Sequence, residues 1–202
     1  YLEREFGHAS SELYWTIFEQ LRQELGYADY LGALQRYRMH YMHEPRLLRM
    51  SSFLIDYPFV ERLYPGALAA VAHASRFGKA VILSDGDVVF QPHKVQRSGL
   101  WTAVEDRVLI YIHKELELSD VAQRFPAERY VLIDDKLRIL TAIKRAWGER
   151  VTTVFPRQGH YASDPKVLAD YPPADVTIDT IAQLVDHDLA SLLPTARSVK
   201  GN

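Results

Sequence analysis

The stretch Val81-Ile82-Leu83-Ser84-Asp85-Gly86 decides the fold of this chain. Its apolar residues run into a polar turn that contains glycine, which is the pattern of a short buried strand ending at a loop. Further apolar runs of this kind lie at residues 108–112, 130–133, 151–155 and 176–178, and helical segments separate most of them. Short apolar strands alternating with helices predict an α/β fold, with a Rossmann-like parallel sheet covered by helices on both faces.

The residues that precede this core have a different pattern. Apolar positions between Ser11 and Gly26 follow the helical period, and a second helix is predicted over residues 28–43. Nothing before about residue 78 has the pattern of a buried strand. We therefore predict two domains, a small helical one over residues 1–57 and an α/β core over residues 58–202.

Composition excludes several classes of function. The 202 residues carry 24 Lys and Arg against 26 Asp and Glu, a formal charge of −2, so no basic surface for nucleic acid is expected. Cysteine is absent, which excludes disulfides, thiolate zinc sites and a thiol nucleophile. No apolar run approaches the roughly 18 residues of a membrane span. We expect no membrane association and a cytoplasmic location.

Polar groups follow the apolar runs at the points where strands are predicted to end. They are Ser84-Asp85-Gly86, His113-Lys114, Asp134-Asp135 and the loop over residues 156–160. Ligands of open α/β sheets bind at the carboxyl ends of the strands. A hydroxyl in a glycine turn, a lysine and a carboxylate pair at one edge suit an anionic ligand bound with a metal ion.

Each of these elements also has a plainer interpretation. The turn at Ser84 could simply reverse the chain, and Lys114 could be an ordinary solvated lysine. Asp134 and Asp135 could cap the helix predicted to begin near Leu137. Their alternative role is ligation of Mg²⁺, which takes one or two carboxylates and leaves its other positions to water and phosphate.

The combination resembles the haloacid dehalogenase superfamily of hydrolases. The family's second motif is a strand ending in Ser or Thr, which residues 81–86 match, and its third is a lysine, which Lys114 matches. Its fourth is an acidic pair after a strand, as in Tyr130-Val131-Leu132-Ile133-Asp134-Asp135. The helical stretch over residues 1–57 is similar to the cap domain of that family.

The resemblance implies a role for each matching residue. Ser84, with the backbone of Asp85 and Gly86, would bind phosphate oxygens, and Lys114 would neutralise the phosphoryl group. Asp135, with Asp134 beside it, would complete a Mg²⁺ site. The cap would cover the site and select the substrate.

The first motif of the family has no match in residues 1–202. That motif is a central strand ending in Asp-x-Asp, whose first Asp attacks phosphorus and whose second is the general acid and base. The Asp-x-Asp patterns present are Asp85-Gly86-Asp87, within the second motif, and Asp186-His187-Asp188, in a predicted helix. Loss of a central strand would split the sheet and leave backbone groups unpaired, at roughly 1–3 kcal/mol for each buried group. We expect the strand to lie upstream of Tyr1 or to come from another piece, consistent with an opening segment that reads as the tail of a helix.

Smaller features stay open at this stage. Asp85 puts a carboxylate beside the expected phosphate site, and Ile139 stands where the fourth motif often has a further Asp. His40 and His43 share a helical spacing but lack a nearby third metal ligand, and Arg157 and His160 could border the site or lie in an exposed loop. One or two aromatic residues of the cap could line a substrate pocket; the candidates are Tyr14, Trp15, Phe18, Tyr27, Tyr30, Tyr37 and Tyr41.

The sequence thus predicts a Mg²⁺-dependent phosphatase that acts on a small phosphorylated molecule through an aspartyl-phosphate intermediate. One alternative is a haloacid dehalogenase or phosphonate-cleaving hydrolase on the same fold. The other is a non-catalytic member that binds a phosphorylated ligand or a protein. The sequence carries no signal for an oligomeric state.

Overall fold

The computed structural model describes residues 1–159, 161–163 and 165–192. In chain order, the elements are α1 (Leu2–Phe6), α2 (His8–Leu25), α3 (Tyr30–Arg38), α4 (Arg46–Ile55), α5 (Ala67–Ala74), β1 (Ile82–Asp85), α6 (Phe90–Arg97), α7 (Leu100–Ala103), β2 (Val108–Tyr111), α8 (Leu118–Arg124), β3 (Tyr130–Ile133), α9 (Leu137–Trp147), β4 (Val151–Pro156), α10 (Pro165–Asp170) and β5 (Val176–Ile178). Short 3₁₀ helices, the longest over Ile181–Asp186, complete the description. None of the described helices is long and apolar enough to cross a bilayer.

The chain divides into two compact units. The first contains Tyr1–Leu63 and Val81–Lys114, and the second contains Tyr64–Ala80 and the residues from Glu115 onward. The helical segment over residues 1–57 therefore lies in one unit with β1 and β2. The domain boundary predicted at residue 57 stays a prediction.

All five strands overlap the predicted apolar runs, and all are parallel, although β1 continues through Ser84 and Asp85, which the sequence predicts to lie in a turn. In the first unit β1 pairs with β2, with Ser84 opposite Ile110. In the second unit β4 lies between β3 and β5. The mixed α/β fold with parallel strands is confirmed. Within the described residues, nothing pairs with the other edge of β1 or of β3.

Apolar residues at helical spacing build the core of the helical segment. Tyr14, Phe18 and Leu21 of α2 are buried with Leu34 of α3 and Met50 of α4. Burial, with smaller contributions from Tyr30 and Asp29, raises the pKa of the Tyr14 phenol well above its usual range. The phenol donates a hydrogen bond to the Tyr30 carbonyl at 3.1 Å, which satisfies a polar group that burial would otherwise make costly.

The helix boundaries differ from the sequence predictions in several places. Helix α2 begins at His8 rather than at Ser11. Helix α3 ends at Arg38 rather than at His43, and the Asp29 side chain caps its start by accepting the Gly32 N–H at 2.7 Å. The sequence analysis missed α4, α6 and α7, and the predicted last helix is the 3₁₀ helix over Ile181–Asp186. Helix α9 begins at Leu137, where the sequence predicts it, and Gly148 follows its last residue.

The core of the second unit centres on β4. Every residue of this strand is buried, because it has a hydrogen-bonded neighbour on each side and lies against α9. Ile139 and Ile143 of α9 are fully buried in a cluster that includes Val151. Ile139 is therefore a core residue, and its apolar side chain offers no metal ligand.

Candidate active site

The Ser84 hydroxyl, near the carboxyl end of β1, lies between two hydrogen-bond partners. Ser84 Oγ accepts a hydrogen bond from Gln91 Nε2 at 2.7 Å. It donates to the Asp85 carbonyl oxygen at 3.3 Å, which is long for a bond between oxygens. The hydroxyl at the end of the strand is therefore oriented, and its proton is only weakly engaged.

Asp85 and Lys114 are joined through the backbone of the lysine. The Lys114 N–H donates to Asp85 Oδ1 at 2.7 Å, which ties the loop after β2 to the end of β1. The Asp85 carboxylate is therefore used in positioning this loop, and this accounts for a negative side chain next to the predicted phosphate site.

The Lys114 side chain is buried, with 8% of the residue exposed. Its Nζ donates to the Leu83 carbonyl oxygen at 3.3 Å. An ammonium group is rarely buried without polar partners, because the transfer from water is costly. A solvated surface lysine is thus the wrong interpretation of Lys114, and the first unit brings Ser84, Asp85 and Lys114 together.

Gly86 and Asp87 complete this turn. The Gly86 N–H donates to the Tyr111 carbonyl oxygen at 2.9 Å, so this amide is already used between the two strands. Asp87 Oδ1 accepts the N–H groups of Val89 and Phe90 at 2.9 and 2.6 Å, which satisfies free amides at the start of α6. Its Oδ2 is buried and has no hydrogen-bond partner among the described residues.

The turn between α2 and α3 borders the same loops. Gly26 has a φ of +78°, and a Cβ at this position would lie 2.7 Å from Cε1 of His113. Burial, Asp29 and Asp87 together raise the pKa of the Tyr27 phenol. Among the aromatic residues of the helical segment, Tyr27 follows Gly26 in this turn and Tyr30 packs against Phe90 of α6 with ring centroids 5.1 Å apart, while Tyr14 and Tyr37 are fully buried in the helical core.

In the second unit, Asp134 and Asp135 follow β3 at its carboxyl end, as predicted. The Asp134 N–H donates to the Val154 carbonyl oxygen at 3.2 Å, and Asp134 Oδ1 accepts the Lys136 N–H at 2.8 Å. Asp134 thus orders the turn that leads into α9, although the helix itself has no side-chain cap.

Asp135 lies against the loop that follows β4. A Cβ on Gly159 would lie 2.5 Å from Asp135 Oδ2, and Gly159 has a φ of +91°. This loop approaches the carboxylate so closely that only glycine fits.

The remaining candidates are two histidines of the helical segment and two residues of the loop after β4. Arg157 is exposed and lies 3.9 Å from Asp179, which agrees with an exposed loop residue. It also lines an apolar cavity of about 450 Å³, together with Phe155 and Tyr171. His160 lies outside the described residues. His40 and His43 are both exposed.

The donor chemistry of the acidic pair fits Mg²⁺. In the part of the chain that the structure describes, no three His, Asp or Glu side chains come together as a metal site. Mg²⁺ needs no such cage, because one or two carboxylates suffice when water and a phosphate oxygen supply the other ligands. Asp134 and Asp135 provide that number of carboxylates at one strand end.

Comparison with solved structures decides the family. A haloacid dehalogenase-like hydrolase from Burkholderia xenovorans LB400 is 65% identical in sequence, with a TM-score of 0.88 over 93% of this chain and 87% of that chain. This chain belongs to the haloacid dehalogenase-like hydrolases. A haloacid dehalogenase-like family hydrolase from Xanthomonas campestris shares the fold at 19% identity, with a TM-score of 0.54 over 81% of this chain and 66% of that chain. No protein-family model and no curated protein matches the chain.

The sequence analysis assigned no role to three residues that lie beside predicted site residues. Gln91 and Asp87 both lie where the chain passes from the turn after β1 into α6, and Gly159 lies in the loop after β4. One feature of the sequence could have identified Gln91 and Asp87. When a helix begins directly after a motif turn, the side chains of its first turn lie close to that motif turn. The apolar pattern predicts no helix over residues 90–97, so this feature was not used in the sequence analysis.

Proposed function

We propose that this member of the haloacid dehalogenase-like hydrolases is a Mg²⁺-dependent phosphatase that acts on a small phosphomonoester. The observation that carries the proposal is the group of Ser84, Asp85 and Lys114, in which a weakly engaged hydroxyl proton and a buried lysine occur at the ends of two paired strands. A dianionic phosphoryl group needs donors and a positive charge of this kind.

Each residue has a defined part in this proposal. The Ser84 hydroxyl donates to a phosphoryl oxygen in place of its 3.3 Å bond to the Asp85 carbonyl. Lys114 neutralises the phosphoryl charge, and Asp85 fixes the backbone from which that lysine projects. The Gly86 N–H already donates to the Tyr111 carbonyl oxygen, so the contribution of Gly86 is that it has no side chain.

Asp134 and Asp135 are the residues that would hold Mg²⁺. When bound, the ion supplies charge neutralisation at the phosphoryl oxygens. Gly159 supports this role by leaving room for the Asp135 carboxylate.

The reaction proceeds by two displacements in this proposal. An aspartate oxygen forms a bond to phosphorus while the ester P–O bond breaks, and the departing alkoxide takes a proton from a general acid. Water then displaces the phosphoryl group from the aspartate, which releases inorganic phosphate and restores the carboxylate. No residue of this sequence is assigned as the nucleophile or as the general acid. Asp85 and Asp87 are not chosen, because both carboxylates accept backbone N–H groups.

Phosphate release by the protein expressed from its complete gene tests the proposal. A panel of phosphomonoesters is offered with Mg²⁺ and with a chelator, to the wild type, to Asp135→Asn and to Asp186→Asn as a matched control on an exposed aspartate. We expect turnover that needs Mg²⁺ and falls by at least about 100-fold in Asp135→Asn, while Asp186→Asn matches the wild type.

Other outcomes would replace this function. Halide release from a haloacid without Mg²⁺ would favour a dehalogenase, and cleavage of a carbon–phosphorus bond would favour a phosphonate hydrolase. Binding of phosphorylated molecules with no turnover would favour a non-catalytic member. A cytoplasmic location and a small-molecule substrate remain part of the proposal.

A further inference from the structure

Gln91 lies in the first turn of α6 and reaches back to the end of β1. Its Nε2 donates to Ser84 Oγ at 2.7 Å across seven residues of sequence. Its side chain is half-buried and lies against Gly86, where an added Cβ would come within 2.6 Å of Gln91 Cβ. The glycine of the motif turn therefore lets this glutamine approach the serine.

The bond from Gln91 determines which role the Ser84 hydroxyl can play. A hydroxyl has one proton and two acceptor lone pairs. The Gln91 N–H occupies one lone pair, and the proton points to the Asp85 carbonyl at 3.3 Å. Because that bond is long and weak, the proton can turn to a better acceptor while the oxygen stays fixed by Gln91.

The surroundings make this orientation important. Asp85 is the last residue of β1 and Asp87 lies in the turn after it, so two carboxylates already add negative charge to this part of the chain. A neutral amide at position 91 contributes a donor and adds no charge. A carboxylate at that position would instead accept the Ser84 proton and add a third negative charge.

We propose that Gln91 is a positioning residue that keeps the Ser84 hydroxyl available as a hydrogen-bond donor to a phosphoryl oxygen. This inference rests on the proposed phosphatase function and deepens it. Gln91 acts through Ser84 and contacts no reacting atom itself.

Binding of inorganic phosphate, measured by calorimetry with Mg²⁺ present, tests this role. Gln91→Met removes the donor and keeps the chain length, and Gln91→Glu reverses the bond and adds charge. Gln96→Glu is the matched control, because it makes the same change at an exposed position of the same helix. We expect phosphate binding to weaken about 3- to 10-fold in Gln91→Met and more in Gln91→Glu, with Gln96→Glu within about twofold of the wild type.

A double-mutant cycle separates positioning from a structural role. In the Ser84→Ala background, Gln91→Met is expected to cause no further loss of phosphate affinity, because the hydroxyl through which it acts is gone. Thermal unfolding of each variant establishes that it folds. If only one of the two Gln91 variants folds, its phosphate affinity is compared with that of Gln96→Glu.

Three results would overturn the inference, and they differ in what else they reject. If the wild type binds phosphate and both Gln91 variants bind it equally well, Gln91 has no positioning role and the phosphatase proposal stands. An equal loss from Gln91→Met with and without Ser84 would likewise reject action through Ser84. If the wild type neither binds phosphate nor releases it from any ester, the inference and the proposed function fail together.

Discussion

The carboxylate of Asp85 accepts the backbone N–H of Lys114 at 2.7 Å and so joins the motif turn after β1 to the loop after β2. The two residues are 29 positions apart, and the bond fixes the point from which the lysine side chain enters the interior. The hydrogen bond to the Lys114 N–H therefore accounts for a carboxylate beside the expected anion site.

Replacement of Asp85 separates this positioning from its charge. Asp85→Asn keeps an oxygen that can accept the Lys114 N–H, whereas Asp85→Ala removes the acceptor. We expect Asp85→Ala to lower phosphatase kcat/KM by about tenfold or more, since a lost hydrogen bond and a displaced Lys114 act together. Asp85→Asn should retain most of the activity. Equal losses in the two variants would show that the charge of Asp85, and not its bond to Lys114, is what the site needs.

The strands and the motif positions could be predicted from sequence because both are local properties. Residues 81–83 and 151–155 are short, mainly apolar runs that end at polar loops, and the strands β1 and β4 form where these runs lie. The polar residues that follow them occur at strand ends for the same reason.

What could not be predicted depends on contacts between distant residues. The bond from Asp85 to Lys114 and the fit of Gly159 against Asp135 require the packing of two loops, which no periodic pattern encodes. Helix α6 was missed because its charged and amide residues give a weak apolar pattern. Without this helix, the contact between Gln91 and Ser84 could not be predicted. The end of α3 at Arg38 likewise depends on local turns after it rather than on its apolar spacing.

Gly159→Ala is expected to weaken Mg²⁺ binding. The new Cβ would lie 2.5 Å from Asp135 Oδ2, so the carboxylate or the loop after β4 must move. We expect the Mg²⁺ concentration needed for half-maximal activity to rise by about 10- to 100-fold, as for other residues that orient a metal ligand. Calorimetric titration with Mg²⁺ provides a second measurement that does not depend on turnover.

Gly99→Ala is the matched control for this substitution. Gly99 also has a positive φ, +81°, but an added Cβ there would have nothing within 4 Å. Its cost is therefore backbone strain alone, about 1–2 kcal/mol, and Mg²⁺ binding should not change. Similar losses of Mg²⁺ affinity in both variants would assign the effect to general destabilisation and not to Asp135.

Gly26→Ala is expected to disturb the loop that carries Lys114. The added Cβ would lie 2.7 Å from Cε1 of His113, which directly precedes the lysine, and the φ of +78° adds backbone strain. We expect lower thermal stability together with a lower kcat/KM. In the double variant with His113→Ala, the contact is relieved, so activity should recover in part while the strain and the lower stability persist.

Gly7→Ala tests the contribution of strain by itself. Gly7 has a φ of +85° and no atom within 4 Å of an added Cβ. It should lower the unfolding temperature without affecting kcat/KM. Failure of His113→Ala to restore any activity to Gly26→Ala would show that the ring contact does not transmit the change.

Asp175 is expected to make the stability of the second unit depend on pH. It precedes β5, and its Oδ2 accepts the N–H and the hydroxyl of Thr153 in β4, both at 2.8 Å, and lies 3.0 Å from Lys144 Nζ. Partial burial raises the pKa of this carboxyl, but the hydrogen bonds from Thr153 and Lys144 outweigh it, so the pKa lies below its usual value. The ionised form thus fastens β5 to β4.

The sign of the pH dependence follows from the lowered pKa. A carboxyl with a lower pKa in the folded state stabilises that state above its unfolded pKa of about 3.9, and this contribution is lost as the pH falls through the folded value. Asp175→Asn should lower the unfolding temperature by about 2–4 °C near pH 7, corresponding to roughly 1 kcal/mol for a partly exposed group. As the pH falls below the lowered pKa of folded Asp175, the wild type and the variant should converge. Thermal unfolding across this pH range checks the prediction, with Asp56→Asn as the control at an exposed aspartate. A difference in unfolding temperature between the wild type and Asp175→Asn that is constant with pH would show that packing, and not the charge of Asp175, stabilises the pairing of β5 with β4.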